Sequence, residues 1–178
     1  GGAGNDTLQG GLGNDTYLFG RGDGQDALKA QKDATAGKLN TLRFKDGVAA
    51  ADVQVSRDGT ALLLTIAGTG DSLRAEGFFS SNNPANDSNP LQQVQFADGT
   101  VWDLASLTAR AWKNAMQQRG MDCTVSESDQ PMPGHETWKA RCVAPAQAAG
   151  ASAAHLYQFT VHADGEQLVI DSGMQTSA

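Results

Sequence analysis

Two aspartates near the start of the chain, Asp6 and Asp15, close segments of the same design nine residues apart. The first reads Gly1-Gly2-Ala3-Gly4-Asn5-Asp6 and the second Gly10-Gly11-Leu12-Gly13-Asn14-Asp15. Residues of these types in this order suit the binding of a hard cation. Glycine lets the backbone take positive φ and crowd its carbonyls around a small sphere, and the closing aspartate supplies negative charge. A calcium ion takes six to eight oxygens at roughly 2.3–2.6 Å. One such turn cannot provide them all, but two stacked turns can.

Each segment is followed by three residues with a large apolar side chain in the middle, Thr7-Leu8-Gln9 and Thr16-Tyr17-Leu18, so both units obey G-G-x-G-x-D-x-U-x. A third, stretched unit runs Phe19-Gly20-Arg21-Gly22-Asp23-Gly24-Gln25-Asp26-Ala27-Leu28. It has phenylalanine in place of the first glycine and an inserted pair before Asp26. A flexible Gly/Asn/Asp linker is the alternative reading, but a linker gives no reason for Leu8 and Tyr17 to stand nine residues apart.

These repeats resemble the RTX family of calcium-binding proteins, whose nonapeptides wind a parallel β-roll. The resemblance implies side-chain ligation by Asp6 and Asp15. It also implies backbone ligation from Gly1, Ala3, Asn5, Gly10, Leu12 and Asn14, with Gly2, Gly4, Gly11 and Gly13 between them. Asp23 and Asp26 are both candidates for the ion that faces Asp6, and Asp33 is a candidate on the Asp15 side.

Past residue 38 the pattern changes to short apolar runs at 39–44, 53–56, 61–66, 72–75, 91–96 and 101–102. Asp46-Gly47, Asp58-Gly59, Gly68-Thr69-Gly70 and Asp98-Gly99 punctuate them as hairpin turns. The expectation is an antiparallel meander that caps the open edge of the roll. Turn chemistry accounts for Asp46, Asp58, Asp71 and Asp98 without metal. This segment also resembles the domain that follows the repeats in haemolysin-type proteins. The likeness rests on Asn40-Thr41-Leu42-Arg43-Phe44, Ala51-Asp52-Val53, Leu64-Thr65-Ile66 and the run from Val94 to Trp102. Residues 81–90 read as a surface loop, and Phe78 and Phe79 as core.

From Asp103, a good N-cap, Leu104, Leu107, Ala111 and Ala115 recur at helical spacing, and Arg119 and Gly120 suit a helix end. Strand-like runs at 123–125, 137–143 and 155–171 follow, the last broken at Ala163-Asp164-Gly165. The fold class expected is therefore mainly β: a short calcium-binding parallel β-roll (1–35), a β-rich cap (36–103) and a small αβββ domain (104–178).

Cys123 and Cys142 are the only cysteines. In an exported chain a disulfide is the natural reading, with two buried thiols as the alternative. His135, His155 and His162 do not pair with them at zinc-site spacing. No G-x-S-x-G, H-E-x-x-H or phosphate loop is present, so this part of the protein is not expected to be an enzyme.

The net charge of −7 argues against nucleic acid, and 13 of the 20 acidic residues precede Leu104, where only eight basic ones stand. No apolar stretch approaches the roughly 18 to 20 residues of a membrane helix. The chain opens on a glycine, directly within its run of repeats, and is expected to belong to a longer protein. The resemblance implies secretion to the extracellular space through bacterial secretion machinery, with folding when calcium (Ca2+) binds outside the cell. Rival readings make residues 104–178 a domain that binds a protein partner or a surface on a calcium-stiffened stalk, or a toxin-like effector.

Overall fold

The structure, a computed structural model, describes residues 1–118 and the strand backbones Asp122–Glu127, Thr137–Val143 and Leu156–His162. Strands β1 (Thr7–Leu8), β2 (Thr16–Phe19), β3 (Gln25–Leu28) and β4 (Thr41–Phe44) come first. They are followed by β5 (Val53–Asp58), β6 (Ala61–Ile66), β7 (Ser72–Ala75), β8 (Gln93–Gln95) and β9 (Val101–Trp102). Helix α1 (Leu104–Gln118) then leads to β10 (Asp122–Glu127), β11 (Thr137–Val143) and β12 (Leu156–His162).

The first four strands alternate between two sheets, which β5–β7 and β8–β9 then extend. One has the order β1-β3-β7-β6-β5 and the other β2-β4-β8-β9. Within them β1–β3, β3–β7, β2–β4 and β4–β8 are parallel, whereas β5–β6, β6–β7 and β8–β9 are antiparallel. Both sheets are thus mixed, and neither closes on itself. The expectation of an antiparallel meander over residues 36–103 needs correction here. Only the β5-β6-β7 hairpins and β8-β9 follow that plan, while β4, β7 and β8 extend the parallel pairing begun by the glycine-rich repeats.

The reason lies in burial. In the second sheet Tyr17, Leu42, Val94 and Trp102 stand in one register row, with Phe19 and Phe44 paired two residues on. Parallel addition keeps these side chains on one face, and a one-residue slip would turn them all to solvent. Phe19, Leu42, Phe44 and Val94 share a single core with Leu28, Leu62, Leu64 and Leu73 of the first sheet. Phe44 stacks on Phe96 at 5.0 Å and meets Phe19 edge-on at 6.2 Å, and Phe96 meets Trp102 at 4.6 Å.

Phe78 and Phe79 are buried, as expected. The loop after them is less superficial than its composition implies. Asn89 is 0% exposed, donating to the Pro84 carbonyl and accepting from Leu91 N–H. Asn86 Nδ2 likewise donates to the carbonyls of Gly77, Phe78 and Asn83. Asparagine side chains here replace the secondary-structure partners that a buried backbone lacks.

Asp103 caps α1 as expected, its Oδ1 accepting from Ser106 N–H at 2.8 Å. The helix packs on β5 and β10, and Arg110 lies over the Trp102 ring at 3.9 Å. Strands β10-β11-β12 form a separate antiparallel sheet in which Cys123 and Cys142 are register partners. The helix end at Arg119–Gly120, the break at 163–165 and the histidines His135 and His155 lie outside the described residues. Among the described residues no helix is long and apolar enough to cross a membrane.

Candidate cation sites between stacked turns

The strands are short, so the turns between them carry much of the chemistry. On one side of the molecule turn 1–6 stacks on turn 20–26. Gly4 N–H donates to the Asp23 carbonyl at 3.0 Å, Gln25 N–H to Asn5 Oδ1 at 2.9 Å and Asp6 N–H to Asp26 Oδ1 at 2.9 Å. A Cβ on Gly24 would overlap the Gly4 carbonyl, so the two turns can approach this closely only because position 24 is glycine.

The carboxylates of Asp6 and Asp26 converge here. A Cβ built on Gly1 would stand 2.7 Å from Asp6 Oδ2 and 2.9 Å from Asp26 Oδ2, so both oxygens crowd one side of that residue. Asp26 is 3% exposed, and its Oδ2 is buried with no hydrogen-bond partner. A buried carboxylate oxygen without a donor is costly unless a cation meets it. The residues therefore fit a hard cation. Asp6 and Asp26 would meet it with carboxylate oxygens, and carbonyls of the two turns would complete the shell.

The other side repeats the plan with different residues. Turn 10–15 stacks on residues 33–40: Gly13 N–H donates to Asp33 Oδ2 at 3.0 Å, Leu39 N–H to Asn14 Oδ1 at 2.8 Å and Asp15 N–H to Asn40 Oδ1 at 2.8 Å. Asp15 Oδ2 is buried and again without a partner. Asn40 holds toward Asp15 the position that Asp26 holds toward Asp6, so this side has one carboxylate fewer. Tyr17 Oη accepts from Gly10 N–H at 3.1 Å beside the same carboxylate. Burial raises the Tyr17 pKa, the Gly10 bond opposes that rise, and the Asp15 charge adds to it. Asp33 is held below the usual carboxylate range, first by the Thr35 hydroxyl and then by the Gly13 and Thr35 N–H groups. Asp33 is thus already engaged by hydrogen-bond donors.

Of the two candidates in the third turn, the structure turns Asp26 toward Asp6. Asp23 is engaged elsewhere, by Lys45 and by Gly20 N–H. Asp71, read from sequence as a hairpin-turn residue, instead clasps this turn across 47 residues. Its two oxygens accept from Gly22 and Gly24 N–H at 2.8 Å each, and those bonds lower its pKa. Asp58 pairs with Arg74, and Asp98 accepts from Thr100 N–H within its own turn. Among the described residues no three His, Cys, Asp or Glu side chains form a metal-binding group. A site built chiefly from backbone carbonyls does not require one.

Sequence reasoning missed Asn40, Lys45 and the phenol of Tyr17. A signal for the first was present: Asn40-Thr41-Leu42 repeats the strand entries Asp6-Thr7-Leu8 and Asp15-Thr16-Tyr17. No local signal marks Lys45, which follows Asp23 by 22 residues.

Residues 62–106 match the haemolysin-type calcium binding protein related domain. That match covers β6 to the start of α1 and leaves the glycine-rich turns outside it. Over 92 residues, 52% of the chain, the sequence is 36% identical to the iron-regulated protein FrpA of Neisseria meningitidis serogroup C. The match spans 8% of that relative's length. Together these similarities support a calcium-binding, RTX-like module.

Proposed function

We propose that the chain is the calcium-responsive module of a larger exported protein, with its first turns closing around calcium as one end of a two-sheet parallel roll. The observation that carries this reading is the pair of buried, partnerless oxygens, Asp26 Oδ2 and Asp15 Oδ2, each set between stacked turns whose neighbouring amides are satisfied. Where calcium is scarce, Asp6 and Asp26 repel each other and the glycine-rich turns gain entropy by opening. Calcium binds only the closed turns and stabilises them by mass action. Such a chain is pliable before export and rigid after it.

Export also bears on Cys123 and Cys142. Their register puts them directly opposite each other on β10 and β11, and in an oxidising compartment a bond between them would tie the edge of that small sheet. The calcium reading is tested by isothermal titration calorimetry on the chain and on Asp26→Asn. Saturable calcium binding that weakens at least tenfold in the variant is expected. No heat of binding up to millimolar calcium would end it.

A further inference from the structure

Asp23 and Asp26 belong to one turn and are both almost fully buried, yet opposite groups stand against them. Asp26 keeps Oδ2 without a partner. Asp23 has none to spare, because Lys45 Nζ donates to Oδ1 and Oδ2 at 2.8 Å each and Gly20 N–H donates to Oδ2 at 2.9 Å.

Lys45 is held in place for this contact. Its backbone N–H donates to the Phe19 carbonyl at 2.9 Å, continuing the parallel pairing of β2 and β4 by one residue. Its stem lies on Gly20, where an added Cβ would stand 2.9 Å from Lys45 Cβ and 3.1 Å from Cδ. The Asp23 side chain is 10% exposed against 46% for Lys45. The ammonium therefore reaches a largely dehydrated carboxylate while keeping one face in water. That separates it from an ordinary surface pair, in which both charges stay solvated and little is lost when one is removed. Beyond this pair, the Gly22 and Gly24 amides of the same turn are held by Asp71.

We infer that Lys45 is a built-in counter-ion: its ammonium neutralises Asp23 as a bound cation would neutralise Asp6, Asp26 and Asp15. The Asp23 side of the third turn is thereby closed without metal, and Asp23 is withheld from the cation sites. The contrast with the first two turns rests on the calcium reading proposed above. The role of Lys45 toward Asp23 does not.

The test uses the whole chain, with Lys45→Met and the double variant Asp23→Asn/Lys45→Met, each in chelator and in calcium. Thermal melting and amide exchange by nuclear magnetic resonance are the readouts. In chelator the wild type should protect the Gly20, Gly22 and Gly24 amides, while the Asp6 and Asp15 amides become protected only with calcium. Lys45→Met in chelator should melt roughly 4 °C or more below wild type and exchange Gly20 at least tenfold faster. The double variant, which removes both charges, should recover most of each loss. Lys45→Met that melts and exchanges like wild type overturns the inference, as does a double variant no better than the single one. If Lys45→Met fails to fold, a folded double variant supports the inference and an unfolded one overturns it. A wild type indifferent to calcium would sink the calcium reading, yet the chelator comparison would still decide the role of Lys45.

Discussion

The first two turns and the body behind them share a sheet plan but satisfy their buried charge in different ways. Where turns 1–6 and 10–15 stack on their neighbours, the structure leaves the Asp6 and Asp26 carboxylates converging and the Asp26 and Asp15 Oδ2 atoms without a hydrogen-bond partner. At Asp23 of turn 20–26 and at Asp71 behind it, the structure supplies the partner itself: Lys45 for Asp23, and backbone amides for Asp71. Stacked turns of this kind can thus be closed either by an ion from solution or by the protein's own donors. Only the first choice makes folding responsive to the medium.

The largest effect that would sharpen this contrast lies in the body. Phe44→Ala removes a fully packed ring between Phe19 and Phe96 and should cost about 3–5 kcal/mol in urea unfolding. Calcium affinity of the fraction that stays folded should hardly change. A loss under about 1 kcal/mol would show that the two sheets do not share this core.

Next comes the bond proposed between Cys123 and Cys142: once formed, its reduction should remove roughly 2–4 kcal/mol from the strands it would tie and leave calcium affinity unaltered. Alkylation without reductant, read by mass spectrometry, would refute the bond if both thiols were modified in oxidatively folded protein.

Asp26→Asn should act with opposite signs in the two media. In calcium it loses at least tenfold in affinity, and in chelator it is as stable as wild type or more so, because a buried partnerless charge is gone while Oδ1 still accepts from Asp6 N–H. Destabilisation in chelator would mean that Asp26 already has a partner of its own.

The body's carboxylates should respond to acid instead. Asp71 titrates below its usual range in the folded state, chiefly through the Gly22 and Gly24 amides, so the unfolded chain takes up the proton first. Its stabilising contribution is complete above the ordinary value near ~3.9 and is lost as pH falls from there through the depressed one. Denaturant midpoints in chelator should therefore drop below about pH 4, and Asp71→Asn should flatten that drop. An unchanged slope in the variant would contradict the assignment. The smallest effect belongs to Asp58→Ala: an exposed pair with Arg74 is worth about 0.2–1 kcal/mol, and calcium affinity should not move. Equal affinity losses from Asp58→Ala and Asp26→Asn would show that the cation site is misplaced.

Much of the strand layout was legible because it is local. A large apolar residue two positions after Asp6 and Asp15, and apolar runs bounded by Asp-Gly, mark strands wherever they pack. What each aspartate does was less legible. Asp23 and Asp26 stand three residues apart in the same glycine-rich unit, and nothing between them tells which will face Asp6. That choice is made by the parallel pairing of Thr7 with Ala27, which aligns Asp6 with Asp26. The antiparallel expectation for 36–103 failed for a related reason. Turn residues report the local reversal of the chain, but not which earlier strand lies open to receive the next one.

By itself, then, the sequence determined the nine-residue repeat, the glycine turns, the strand entries, the Asp103 cap and the acidic balance of the first hundred residues. These depend on φ preferences, spacing and charge within a few neighbouring residues. Only the tertiary structure decided that Asn40 faces Asp15, that Asp71 holds a turn 47 residues away and that Lys45 meets Asp23. Those contacts join turns more than twenty residues apart, brought together when two sheets bury one apolar core, and the register of that burial is not written in any single turn.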